Sequence, residues 1–212
     1  MSYKNEFKSC LDDLFESLCD VSDWMYENPE LGFQEFKTSK YLVDYIQNNS
    51  KPVNYPSHGL ETAFDVTFGK EGPLSVICVE YDALPEIGHA CGHNIIATAS
   101  IGAGLGLKDI ASKLGIRVKL LGTPAEEGGG GKIILINEGA FEDASCSMMI
   151  HPGYEDVVNP TFTTIEQYTV EYFGKDAHAA GAPDQGINAL DAQIQLFVNA
   201  STYRQQMVQS NR

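Results

Sequence analysis

The chain has 212 residues, 43% hydrophobic, 10% aromatic and 20% charged, a globular composition with room for one domain and a fraction of another. Its 14 basic against 29 acidic residues give a formal charge of −15, which repels phosphate backbones and anionic lipid, so neither nucleic acid nor a membrane is an expected partner. No segment reaches the roughly 20 apolar residues of a spanning helix, and the charged opening MSYKNEFKSCLDDLFE lacks the apolar run of a signal peptide.

Along the chain, apolar residues at Phe7, Leu11, Leu14, Phe15, Leu18, Val21 and Trp24 follow the helical period, and Pro29 with Gly32 ends that helix. A second helix is expected over Glu35 to Ile46, then a proline-containing loop from Lys51 to Gly59. Ala63 to Phe68 and Leu74 to Glu80 read as strands joined by the turn Lys70-Glu71-Gly72-Pro73. Ile95 to about Leu114 is apolar and small, which predicts a buried helix. The strand Ile116 to Leu121, a glycine-rich turn, a helix from Lys132 to Asn137 and the strand Cys146 to Ile150 follow. Alternating strands and helices imply an α/β fold with a mostly parallel sheet flanked by helices. A boundary is expected near Tyr154 to Thr164, then one strand, Glu166 to Phe173, and one amphipathic helix, Asn188 to Met207.

Three segments place chemistry at the ends of the predicted strands, where α/β sheets build their sites. They are HACGHN at 89–94, TPAEEGGGG at 123–131 and IHPG at 150–153. Cys91, His93, Glu127 and His151 have the character of metal ligands and Glu126 that of a base, while Asp82 follows the strand Leu74 to Glu80 toward the same edge. Thiolate, imidazole and carboxylate suit zinc or manganese. Each residue also has a plainer reading. Asp82 and His151 suit turns, Cys91 and His93 a core, and Glu126 with Glu127 a helix N-terminus favoured by the dipole. Gly128 to Gly131 precede no GK[ST] and read as a tight turn, and IGAGLGL at 101–107 reads as close helix packing. His89 reads as a supporting partner of the site, and His58 as uninvolved. The five cysteines, Cys10, Cys19, Cys78, Cys91 and Cys146, are odd in number and irregularly spaced, which argues against a disulfide framework and for a reduced, cytoplasmic setting.

The series ENPELGFQE, DALP, HACGH, PAEEGGGG, IHPG and GKDAHAAGAPDQGINALDA resembles the aminoacylase/carboxypeptidase family of two-metal peptidases. The similarity is to its amidohydrolase subgroup of hippurate, indole-acetyl-amino-acid and aminobenzoyl-glutamate hydrolases, and within it to the β-alanyl-lysine dipeptidase type. The resemblance implies two divalent ions, Zn²⁺ or Mn²⁺, on Cys91, His93, Glu127 and His151, with Glu126 as general base for a metal-bound water. It implies that Asp82 orients a ligand, and that His178 belongs to a lid and stabilises the oxyanion, often across a dimer. The expected substrate is a dipeptide or N-acyl amino acid, and the expected partner a second copy held through the lid. Residues 1–160 would form the catalytic metal-binding domain and 161–212 an incomplete ferredoxin-like lid and dimerisation domain.

Members of that family continue for about as long again and supply a further ligand histidine, which this sequence lacks. It reads therefore as an enzyme architecture cut in its lid, with weak activity expected of the chain by itself. Two alternatives stay open: a catalytically inactive fragment that binds or dimerises, and a single structural zinc on Cys91 and His93.

Overall fold

The computed structural model of the protein describes residues 2–161, 166 and 168–208. Its β-branched and apolar runs form four strands, β1 (Phe64–Phe68), β2 (Leu74–Val79), β3 (Arg117–Gly122) and β4 (Ala144–Met148), in one sheet of order β1-β3-β2-β4. β2 runs parallel to both β3 and β4, whereas β1 is antiparallel to β3. The mostly parallel α/β sheet read from the sequence is therefore present. The turn at residues 70–73 does not close a β1–β2 hairpin, because β3 lies between those strands.

Side-chain alternation along the strands feeds two cores. On one face Ile77, Val79, Val118 and Leu120 pack with Met25 of α1 (Tyr3–Glu27), Leu42 and Ile46 of α2 (Phe36–Asn49), and Ile101 and Leu105 of α3 (His93–Leu107). On the other, Val76, Cys78 and Leu121 pack with Leu135 of α5 (Gly131–Asn137) and Ala140. The first turn of α2 has no cap from its own preceding residue. The Glu30 carboxylate supplies it, accepting from the Thr38 backbone N–H at 2.8 Å and the Thr38 hydroxyl at 2.9 Å.

α3 buries eleven of its 15 residues because it is covered on two sides. A Cβ at Gly104 would meet Leu120 Cδ2 at 2.5 Å, and one at Gly106 would meet Phe7 Cε2 at 2.7 Å. The IGAGLGL run thus lets α3 fit between α1 and β3, as its small residues suggested. The predicted long helix is interrupted, since α3 ends at Leu107 and a short α4 spans Ala111–Leu114. Among the described residues no helix is long and apolar enough to cross a membrane.

The chain divides into a compact unit Met1–Asp156 and a second unit Val157–Arg212. In the second, Lys175 and Ile187 exchange backbone hydrogen bonds of 3.0 and 2.9 Å, and Asn188 caps α6 (Ala189–Tyr203) by accepting from the Leu190 N–H at 3.1 Å. The strand expected over Glu166 to Phe173 does not form among the described residues; Gln167 lies outside them, as do residues 162–165 within and beside the expected boundary. A single strand with no neighbour has nowhere to place its backbone hydrogen bonds.

Gly104→Ala is expected to lower the unfolding free energy by about 1–3 kcal/mol through overpacking, although alanine is intrinsically the better helix former by about 1 kcal/mol. Chemical denaturation measures the difference. A variant as stable as the native chain would show that the α3–β3 contact has slack.

Candidate metal and catalytic site

The parallel direction of β2, β3 and β4 sends their carboxyl ends to one edge. Glu80 and Asp82 follow β2, Glu126 and Glu127 follow β3, and His151 follows β4. His93 opens α3 at the same edge, behind Gly92, whose φ of 80° turns the chain into the helix. The glycine run after Glu127 is a tight turn into α5, closed by the Gly131 N–H donating to Ala125 O at 3.1 Å.

Asp82 organises the centre. Its Oδ1 lies 3.1 Å from His93 Nδ1, and its Oδ2 accepts from the Glu127 backbone N–H at 2.9 Å. Burial pushes the Asp82 carboxyl up, but the hydrogen bonds from His93 and Glu127 outweigh it and hold the group below the ordinary carboxylate range. With Nδ1–H donating to Asp82, His93 directs Nε2 at three carboxylates: Glu80 Oε2 at 3.5 Å, Glu127 Oε1 at 3.6 Å and Glu126 Oε2 at 3.9 Å. Burial lowers the basicity of His93, yet the hydrogen bond to Asp82 and the charges of Asp82, Glu80 and Glu127 raise its pKa overall.

The remaining predicted ligands surround this imidazole. The His151 ring stands edge-on to the His93 ring, with centroids 6.3 Å apart. His151 Nδ1 lies 2.7 Å from Pro152 O, so the N–H sits on Nδ1 and the Nε2 lone pair is left available. Hydrogen bonding to Glu127, then burial and the charges of Glu127, Glu126 and Asp82, push the Cys91 thiol up to about 11. Burial and the Glu80 charge raise the Glu126 carboxyl, opposed by Lys132. The group whose ligand atoms lie within 4.8 Å of one another is Glu80, His93 and Glu126; of the four expected ligands it contains His93, with Cys91, Glu127 and His151 around it.

The donor set fits a divalent cation. Among the described residues His93 Nε2 and Glu80 Oε2 are buried and have no hydrogen-bond partner, and such orphaned atoms are costly in a closed site. Four carboxylates, Glu80, Asp82, Glu126 and Glu127, meet one ammonium, that of Lys132 against Glu80. Protonating His93 as well would still leave two negative charges over.

His178 lies in the second unit. Its Nδ1 accepts from the Gly181 N–H at 2.9 Å, which leaves the proton on Nε2. His89 is 6% exposed, and burial, then the His93 charge, lowers its basicity; it lines an open cleft together with Cys91, Asn94, His151 and Gly153. His58 Nε2 lies 3.4 Å from Asp65 Oδ1 in the first unit.

Two residues of the site, Glu80 and Glu35, have no role in the sequence reading. Glu80 was legible only as the last residue of its strand, although alternation places it on the same side as Asp82, two residues on. Glu35 is wholly buried, accepting from the Thr62 hydroxyl at 3.0 Å and from the Ala125 N–H at 2.8 Å. Ala125 has φ of 55°, a left-handed conformation that needs support, and it immediately precedes Glu126 and Glu127.

Glu35→Ala should therefore destabilise the chain by about 1–3 kcal/mol, the scale of a buried donor left unpaired, whereas Glu35→Gln, which keeps an acceptor, should lose clearly less. Burial also raises the Glu35 pKa, so its contribution is complete below the ordinary carboxylate pKa and is lost as pH rises through the raised one. Glu35→Gln should flatten stability across that window. Equal losses for Ala and Gln, with an unchanged pH profile, would remove Glu35 from the support of this turn.

No protein-family model matches the chain. It is 39% identical over 212 residues to the Xaa-Arg dipeptidase of Mus musculus, covering 93% of this chain and 49% of the relative. It is 28% identical over 226 residues to one of the subunits of the p-aminobenzoyl-glutamate hydrolase of Escherichia coli (strain K12), covering 95% of this chain and 47% of the relative. A dinuclear metal binding peptidase of the M20 family from Bacillus subtilis shares the fold, with a TM-score of 0.57 and 24% identity over 64% of this chain and 42% of that one. The chain spans about half the length of the curated relatives it matches. It is a homologue of these dipeptidases and hydrolases, and shares its fold with peptidases of the M20 family.

Proposed function

We propose that the chain carries the metal-binding core of a hydrolase that cleaves the amide bond of dipeptides or N-acyl amino acids. The observation that carries this reading is the bare, buried Nε2 of His93 among three carboxylates. The names of the relatives, a dipeptidase and an aminobenzoyl-glutamate hydrolase, support the substrate class. Cys91, His93, Glu127 and His151 would hold two divalent ions, Zn²⁺ or Mn²⁺. Residues 1–160 are the catalytic domain and 161–212 part of a lid through which copies dimerise, in the cytoplasm.

Bound there, the ions would lower the pKa of a water and polarise the amide carbonyl. Glu126, held up in pKa by burial and the Glu80 charge, takes the proton of the attacking water and passes it to the leaving nitrogen. Asp82 fixes the His93 ring through Nδ1 and the Glu127 backbone through its N–H, so two ligands share one anchor. His178 carries its proton on Nε2, the tautomer that a donor to an oxyanion needs.

Exposure of Ile187, Leu190, Ile194 and Phe197, each at least half exposed, favours a second reading, in which the chain acts as a binding or dimerising module. Hydrolysis separates the two: the enzyme reading requires turnover of dipeptides ending in arginine or of aminobenzoyl-glutamate with Zn²⁺ or Mn²⁺ present. Association without turnover in any of these assays favours the module.

Cys91→Ser and His151→Ala are each expected to lower the bound metal per chain, measured by elemental analysis after dialysis, because an incomplete ligand shell binds loosely. Unchanged stoichiometry in both overturns the ligand assignment. Glu126→Gln should keep the metal while lowering hydrolysis by about a hundredfold or more. Metal loss equal to that of Glu127→Gln would exchange the roles of the two glutamates.

A further inference from the structure

We propose that Glu80 is itself a metal ligand of this site, a carboxylate presented from the end of β2 in addition to the cysteine, histidines and glutamate named above. The inference rests on the metal-hydrolase reading and adds a residue to it. Glu80 is 1% exposed and its two oxygens have different surroundings. Oε1 is taken by the Lys132 ammonium, while Oε2 is buried without a hydrogen bond and lies 3.5 Å from the equally bare Nε2 of His93.

With His93 neutral and its proton on Nδ1 facing Asp82, the lone pairs of Nε2 and of Glu80 Oε2 face each other, both desolvated, an arrangement that a cation between them relieves. Glu80, His93 and Glu126 each bring a ligand atom within 4.8 Å of the other two. The Lys132 contact does not account for Glu80, because an ammonium on Oε1 leaves Oε2 unanswered. Lys132 instead holds the carboxylate in place and offsets part of its charge. Hard carboxylate oxygens favour Mn²⁺ over softer competitors, so Glu80 shifts the site toward manganese.

The test measures Mn²⁺ and Zn²⁺ affinity of the whole 212-residue chain by titration calorimetry, with thermal unfolding in chelator and in excess Mn²⁺. Glu80→Gln is expected to weaken Mn²⁺ binding at least about tenfold, since even groups behind the ligands cost that much. It should also shrink the Mn²⁺-induced rise in Tm, and in chelator melt no lower than the native chain, because an uncompensated buried oxygen has lost its charge. Lys132→Met, which frees Glu80 of its competing cation, should tighten Mn²⁺ binding while lowering stability in chelator.

A Glu80→Gln chain that binds Mn²⁺ as tightly as the native one overturns the inference. So does a matching pair in which both variants lose stability in chelator and neither changes affinity, the signature of a structural ion pair. If Glu80→Gln fails to fold, Lys132→Met decides alone: no tightening overturns the inference. A native chain that binds neither Mn²⁺ nor Zn²⁺ removes the hydrolase reading and this inference together, whereas native binding with an unaffected Glu80→Gln removes only the latter.

Discussion

The carboxylate of Asp82 is the contact on which the site depends. Its two oxygens are committed to different elements, Oδ1 to the ring of His93 at the start of α3 and Oδ2 to the backbone of Glu127 after β3. One side chain thereby fixes the tautomer of an imidazole and the position of a neighbouring acid. Both bonds are charge-assisted, which makes them stronger and more directional than neutral ones, and the group is 1% exposed, so water does not compete. Moving Asp82 would displace two of the expected ligands at once.

A second buried acid completes the arrangement from the other side. Glu35 accepts the N–H of Ala125, and Asp82 accepts that of Glu127, so the segment carrying both glutamates is held by carboxylates at alternate residues. The left-handed φ of Ala125 costs on the order of 1 kcal/mol or more for a residue with a side chain. Sheet direction supplies the rest. Because β2, β3 and β4 are parallel, Glu80, Asp82, Glu126, Glu127 and His151 reach one edge without long connections, and α3 brings His93 to it.

Much of this was legible in the sequence, for identifiable reasons. Strand β2 is a nearly continuous apolar run, as a parallel strand buried on both faces must be, and β3 becomes apolar and buried after Lys119; the motif residues at their ends could be assigned to one edge from direction alone. What sequence could not supply was pairing. β1 and β2 are adjacent in the chain and joined by a turn, yet β3 is inserted between them. The expected strand at Glu166 to Phe173 has alternating residues but no partner among the described ones, and periodicity does not reveal whether a partner exists. Glu80 and Glu35 were missed for a related reason. A carboxylate buried by tertiary contacts looks, in one dimension, like any exposed acid at an element's end, and only alternation with Asp82 hinted at Glu80.

The abundance of acid also bears on how the fold and the site are coupled. Glu80, Asp82, Glu126 and Glu127 crowd around one imidazole, and the like charges raise one another's energy, most of all at Glu80 and Asp82, which are buried with His93, whereas Glu126 is exposed. Lys132 against Glu80 and the His93 hydrogen bond to Asp82 offset part of that repulsion. A bound divalent ion acts on the same imbalance, so its binding free energy is added to the stability of the folded state by mass action. The features that destabilise the metal-free centre are therefore those that select for a cation. A lone structural zinc on Cys91 and His93 would leave the carboxylates of Glu80 and Glu126 uncompensated, and the electrostatics of the described residues favour a site that draws on the acids as well.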